Sequence, residues 1–179
     1  MSEFVAFPKI SRLFRDTIIS EKIDGTNASI HIGDNGEVLV GSRNRFITPN
    51  SDNYGFARWV EDNKEGLIEE LGPGVHYGEW WGAGIQRRYG LQEKRFSLFN
   101  TTRWKDKPLR LCHVVPELTV CTFSTDTVKE TLRFLQKNGS QAAPGFMNPE
   151  GIVVYHNSSG QMFKVTLDNN DRGKWESNV

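Results

Sequence analysis

The alternation of apolar and polar positions divides the chain into short runs. Thr17 to Lys22 reads as a strand and Asn27 to Ile32 as a second. Asp34-Asn35-Gly36 marks a tight hairpin, because Asn-Gly tolerates the positive φ such a turn needs. Glu37 to Ser42 then returns as a third strand and delivers Arg43 to its far end. These three strands are expected to form one meander with Lys22 near one end. Phe46 to Ser51 reads as loop. From Asn53 to Leu71, the residues Phe56, Val60, Leu67 and Leu71 recur at helical spacing with Ile68 alongside. That spacing predicts an amphipathic helix, with Gly66 as a candidate interruption and Gly72-Pro73-Gly74 as its stop.

Val75 to Trp81 is the next strand and carries Tyr77-Gly78-Glu79, and Gly82 to Gly90 forms a glycine-rich basic loop. Phe96 to Phe99 and Leu109 to Val115 are shorter strands. Ser124 or Thr125 caps a helix whose apolar face is Val128, Leu132 and Leu135, and Asn138-Gly139 closes it. Glu150 to Tyr155 and Met162 to Leu167 pair through a turn at Asn157 to Gly160. The sum is an α+β fold of largely antiparallel strands with two substantial helices. It occupies a single domain over residues 1–167, and a polar tail, 168–179, follows.

Composition narrows the setting. The 179 residues suffice for one domain with a real core. Only 37% are hydrophobic, mean hydropathy is −0.52, and no run of 18 apolar residues exists to span a membrane. Met1-Ser2-Glu3-Phe4 has neither the basic nor the apolar part of a secretory leader. Cys112 and Cys121 lack metal-type spacing and read as reduced thiols, so a cytoplasmic location is expected, a host's cytoplasm if the protein is viral. Basic and acidic residues balance at 22 each, which argues against strong non-specific duplex binding but not against a local basic groove. Aromatic residues flank basic ones at Arg88-Tyr89, Arg95-Phe96 and Arg103-Trp104, a pairing that suits base stacking and equally a core with snorkelling arginines.

Five charged residues stand where strands end or where apolar runs should exclude them. Lys22 closes a strand just before a tight turn. An ordinary surface charge is the plain reading, yet a lysine framed by two strands could act as a nucleophile once neutral. Glu79 lies in an apolar strand and needs a partner there: a core salt bridge, a ligand hydroxyl or a metal. Glu150 enters one strand and Lys164 sits within its hairpin partner, so the two form either a cross-strand ion pair or a carboxylate for a metal and a cation for a phosphate. Arg43 is a second phosphate-binding candidate. The set fits attack by an amine on phosphorus, with Mg²⁺ neutralising developing charge. No P-loop and no Ser/His/Asp constellation is present.

In this order the pieces resemble the covalent nucleotidyltransferase superfamily. They are most similar to the ATP-dependent RNA ligase family of the type seen in phage T4's second RNA ligase. Glu21-Lys22-Ile23-Asp24-Gly25-Thr26-Asn27 is similar to that family's lysine motif. The likeness implies that Lys22 is adenylylated, that Glu21 reads the adenine, and that Ile23 and Asn27 bind nucleotide. It further implies that Arg43 contacts the nucleotide and the end being sealed, and that Glu79 holds the ribose. Phe99 would stack on the purine, with Phe96 as the alternate. Glu150 is implicated with the metal, and Lys164 is the first lysine of the last motif. Gly84-Ile85-Gln86-Arg87 resembles a segment typical of this branch. The resemblance covers roughly residues 17–167. It implies a nucleotidyltransferase domain, an ATP-grasp-like ligase domain of antiparallel sheets with flanking helices, with ATP and Mg²⁺ or Mn²⁺ as cofactors and RNA ends or nicked RNA as substrate. Two departures stand out: Thr166 occupies the place of a second lysine, and no accessory C-terminal domain is expected after the last motif, so an accessory protein or domain is the expected source of nucleic-acid grip. Two alternatives stay open: a DNA ligase or capping guanylyltransferase, and a nucleotide- or RNA-end-binding module without turnover.

Overall fold

A computed structural model describes residues 2–168. It contains two sheets. The first has six strands: β2 (Thr26–Ile32), β3 (Val38–Gly41), β4 (Phe46–Ile47), β5 (Gly74–Gly82), β6 (Lys94–Leu98) and β7 (His113–Val114), in the order β4-β3-β2-β5-β6-β7. The second has four: β1 (Asp16–Lys22), β8 (Glu117–Thr122), β9 (Gly151–His156) and β10 (Gln161–Thr166), in the order β10-β9-β1-β8. Every pairing is antiparallel except β6 with β7. Four helices complete the fold, α1 (Phe56–Asp62), α2 (Lys64–Leu71), α3 (Thr101–Trp104) and α4 (Thr125–Asn138), and the mixed architecture agrees with the α+β expectation.

The expected three-strand meander does not form. β1 and β2 belong to different sheets, and the chain crosses between them over Ile23, Asp24 and Gly25. Alternation fixes which face each strand buries but says nothing about its neighbours. Gly25 permits the crossing: a Cβ there would lie 2.4 Å from the Trp80 carbonyl oxygen and 2.7 Å from the Trp81 Cβ.

Helices cover one face of each sheet. The six-stranded sheet turns Ala28, Ile30, Ile32, Trp80, Phe96 and Leu98 toward Phe56, Val60, Leu67 and Leu71 of α1 and α2. The predicted single helix is two, because Asn63 interrupts it: its amide side chain donates to the Trp59 carbonyl at 2.8 Å. Gly66 lies inside α2, and a Cβ there would come within 2.8 Å of Leu111 Cδ1, so it serves close packing and does not break the helix. The four-stranded sheet packs Ile19, Ile152 and Val154 against Leu135, Val128 and Leu132 of α4. Ser124 caps that helix, its hydroxyl accepting from the Thr127 N–H.

Other expectations need correction. The strand placed over Leu109 to Val115 shrinks to His113–Val114, because the Arg110, Leu111 and Cys112 amides donate to the Glu70 carboxylate and not to a neighbouring strand. Part of the Phe46 to Ser51 loop is β4, and β8 and α3 had no counterpart in the sequence reading. The tail beyond residue 168 lies outside the described residues. Among the described residues no helix is long and apolar enough to cross a membrane.

Gly151 is the tightest point of the second sheet. It pairs with Lys22 on one side and Thr166 on the other, and a Cβ there would lie 2.2 Å from the Val165 carbonyl oxygen. Gly151→Ala should therefore destabilise the domain by about 1–3 kcal/mol, by overpacking. Urea denaturation reads this directly, and an unchanged midpoint would mean that β10 moves aside freely.

Candidate active site

Strand register decides what can meet. Residues directly opposite on paired strands point to the same face. On the four-stranded sheet, Lys22, Gly151 and Thr166 form one row, and Ser20, Val153 and Lys164 form the next. This face lies opposite the one covered by α4. Consecutive same-face rows are roughly 7 Å apart, so Lys164 sits one row back from Lys22. On the six-stranded sheet, Asn27, Glu79 and Ser97 form a row on the face turned away from α1 and α2.

Lys22 ends β1 with its amine 2.9 Å from Glu150 Oε2. Glu150 is not the cross-strand partner of Lys164. Instead its backbone carbonyl accepts from the Leu167 amide while its carboxylate reaches Lys22, and Lys164 lies opposite Val153, exposed and without an ion pair among the described residues. Glu79 is 7% exposed and makes no salt bridge among the described residues; its Oε1 accepts from the Gly25 N–H at 3.0 Å. Burial pushes its pKa up to about 7, with Glu150 and Asp24 adding to the rise and Lys22 and the Gly25 N–H opposing it. Lys22, Glu79 and Glu150 are thus electrostatically coupled across the junction of the two sheets.

Glu21 points the other way. Strand alternation turns it toward α4, where it is 1% exposed. Its oxygens accept from the Ser140 hydroxyl at 2.6 Å and from the Gln141 and Ala142 amides at 2.8 and 2.9 Å. Burial raises its pKa against the pull of those bonds. Ile23 is buried among Trp81, Tyr89 and Ala143, so its side chain is packing and only its backbone faces the crossing. Asn27 is exposed beside Glu79. Arg43 follows β3 at the same end of the sheet, exposed and without an ion pair among the described residues. Phe99, 39% exposed, sits just beyond β6, where its amide donates to the Tyr77 carbonyl. The alternate, Phe96, is fully buried against Phe56 and Trp59, which removes it from any stacking surface. No hydrogen bond or ion pair ties Arg43 or Phe99 to Lys22.

The sequence reading assigned no role to the residues that hold this junction together. Arg87 donates to Asp24 Oδ2 at 2.9 Å, to the Asn148 and Pro149 carbonyls at 3.2 and 3.3 Å, and to Asp168 at 2.5 Å. One guanidinium therefore joins the crossing, the approach to Glu150 and the end of β10. The buried Tyr89 hydroxyl accepts from the Asp24 N–H at 2.7 Å, and its ring packs on Trp81 and Phe146. Both belong to a loop in which Gln86, Arg88 and Tyr89 hold φ of 44°, 62° and 52°. Such backbone costs on the order of 1 kcal/mol per residue and persists only where surrounding contacts over-determine it. The available signal was the run Gly84 to Arg87, whose partners lie too far along the chain to be inferred.

No three His, Cys, Asp or Glu side chains converge as a metal nest among the described residues. Glu150, partly accessible beside the amine, offers one carboxylate, which suits a divalent cation that takes its other ligands from phosphates and water. A shallow cavity of about 650 Å³ lined by Arg58, Trp59, Gly84 and Lys94 lies on the helix-covered side of the first sheet and includes none of the predicted site residues.

Known structures bear out this fold of two antiparallel-rich sheets. The chain is similar to Naegleria gruberi RNA ligase in a ligand-free mutant form, with TM-score 0.63 and 17% identity over 86% of this chain and 50% of that one. It is similar to the same ligase with PPi, at TM-score 0.60, 18% identity, and 93% and 57% coverage. A mutant with ATP and Mn gives TM-score 0.63 at 19% identity, with 86% and 50% coverage. Identities this low speak for the fold alone, and the chain spans about half the length of these ligases. No curated protein matches in sequence. The sequence profile of the RNA ligase family, however, matches residues 15–166. The chain belongs to the RNA ligase family.

Folding raises the Glu79 pKa from 4.5 to about 7, so between those values the native state binds more protons than the unfolded chain. Stability contributed by this group therefore falls as pH rises through that window. Glu79→Gln keeps an acceptor for the Gly25 N–H and removes the buried charge. It should stabilise the protein at pH 8 by on the order of 2 kcal/mol relative to its effect at pH 5. Equal effects in urea melts at both pH values would refute the buried-charge account.

Proposed function

We propose that this chain joins RNA ends through a lysyl-AMP intermediate, with Lys22 as the nucleophile. The observation that carries the reading is the Lys22 amine on the open face at the sheet junction, 2.9 Å from Glu150 and within the field of the buried Glu79. An amine paired with a carboxylate is a poor nucleophile, so the pair must open and the amine must lose its proton to solvent before it attacks. Lys22 Nζ then bonds to the α-phosphorus of ATP as the bond to the β-phosphate oxygen breaks, and pyrophosphate leaves. A 5′-phosphate oxygen next takes the AMP from Lys22, and finally a 3′-hydroxyl attacks that 5′-phosphorus and displaces AMP.

The chain's own residues divide this work. Glu79 is suited to the ribose, since a near-neutral carboxyl with one oxygen already satisfied by Gly25 can exchange a hydrogen bond with a sugar hydroxyl. Phe99 supplies the exposed ring for the base, with Asn27 on the same sheet face. Lys164 and Arg43, exposed and without described ion-pair partners, are the cations for phosphate oxygens. Glu150, once released from Lys22, would hold Mg²⁺ or Mn²⁺, which supplies charge neutralisation at the phosphates. The role implied for Glu21 fits least directly, because its carboxylate is already saturated by the loop after α4. We read it as a support for β1, with any contact to the base made through backbone.

Membership in the RNA ligase family favours this over a DNA ligase or guanylyltransferase. One observation favours a binding module without turnover: Thr166, not a second lysine, stands in Lys22's own row. Incubation with ATP and Mg²⁺ followed by intact and peptide mass spectrometry separates the two. An adenylyl mass on the Lys22 peptide is expected, absent in Lys22→Ala with an unchanged melting temperature. Nucleotide binding without adduct would instead identify the module.

The two phenylalanines give a second check. Phe99→Ala should weaken ATP binding about tenfold with stability nearly kept, whereas Phe96→Ala should cost about 3–5 kcal/mol of stability. Calorimetric titration beside thermal melting distinguishes them, and equal effects would overturn the choice of Phe99.

A further inference from the structure

The face of the six-stranded sheet that carries Glu79 extends well beyond it, and most of the extension is aromatic and uncovered. Phe46 lies opposite Gly41, Gly41 opposite Ser29, and Ser29 opposite Tyr77, so these four residues form one row across the sheet, and the Phe99 amide bonds to the Tyr77 carbonyl at its end. One row further, Leu39, His31 and Val75 face the same way. Phe46 is 59% exposed, Tyr77 61%, Leu39 46% and Val75 44%. Between the two large rings the row holds only Gly41 and Ser29, and the His31 ring fills the gap, edge-on to Phe46 at 5.1 Å and to Tyr77 at 6.5 Å. Ser29 Oγ fixes that imidazole from 3.0 Å. The result is a continuous platform running from Phe99, at the proposed base site, through Tyr77 and His31 to Phe46.

An ordinary sheet face of this kind would be covered by protein or would alternate with charges. Here the strand residues of the open half carry no acidic side chain, and Arg43 stands at its rim without a described partner. Flat rings, strand residues without acidic side chains and a rim cation suit stacked bases with a phosphate alongside. We propose that this platform binds the bases of a single-stranded RNA segment leading to the end held at Lys22. The inference rests on the ligase reading for its direction, since it makes the platform an extension of the nucleotide site. Neighbouring strands lie roughly 4.8 Å apart, so the row from Phe99 to Phe46, crossing four such spacings, offers room for about three nucleotides.

The test uses a short 5′-phosphorylated RNA, with binding read by fluorescence anisotropy in the full chain. Tyr77→Ala and Phe46→Ala, both at exposed positions, should each weaken RNA binding about tenfold, while Tyr77→Trp restores it. The loss should persist at high salt, because stacking and not counterion release is removed, whereas Arg43→Ala should lower the salt slope by about one. Adenylylation of Lys22 by ATP should proceed at the wild-type rate in the Tyr77 and Phe46 variants. Unchanged RNA affinity in the double variant overturns the proposal. So does a change confined to self-association on size-exclusion chromatography, which would make the face a protein contact. If wild type binds RNA through these rings but forms no adduct with ATP, the platform stands and the catalytic reading falls.

Discussion

The site depends on one constraint: the chain must pass from one sheet to the other in three residues without pulling either out of register. Lys22 is the last residue of β1 and Thr26 the first of β2. A link this short behaves as a rigid joint, and its position sets the distance between the two faces. Gly25 lets the link press against β5, and the Gly25 N–H fixes Glu79 at the same contact. Asp24 is gripped twice, by Arg87 through its carboxylate and by Tyr89 through its amide. The crossing therefore does two things at once. It presents the amine and it aligns the carboxylate of the facing sheet.

Electrostatics explains why so many charges tolerate one another here. Glu79, Glu150 and Asp24 crowd the junction, and each disfavours the charge of its neighbours. Lys22 and Arg87 offset two of them by direct contact, and Glu79, with only an N–H for a partner, responds by holding its proton up to near-neutral pH. A bound nucleotide would bring hydroxyls and phosphates into this arrangement, and the surplus of carboxylates over cations near Lys22 leaves room for a divalent ion beside them.

Much of this was legible in the sequence because it is local. Alternation located β1, β2, β3, β5, β9 and β10, and the charges that broke it, Glu79 above all, marked the face that matters. Partnership was not legible. Nothing in Thr17 to Ile32 reveals that the two strands separate into different sheets, since either arrangement buries the same residues. The helix was read as continuous because Asn63 breaks it through a side-chain bond and leaves the apolar spacing intact. Residues 109–112 look like a strand until Glu70, some forty positions earlier, takes their amides. Arg87 escaped for the same reason, as its partners span residues 24 to 168. The family's motif order supplied the grouping of Lys22, Glu79 and Glu150 that spacing alone left open.

The positive-φ loop around Arg87 and Tyr89 bears on how the protein can change over time. Gln86, Arg88 and Tyr89 occupy backbone that glycine would adopt without strain. Replacing Gln86 or Arg88 by glycine would relieve that strain at the cost of a floppier unfolded chain, two effects of similar size. The same change would loosen the segment that seats Arg87 against the crossing.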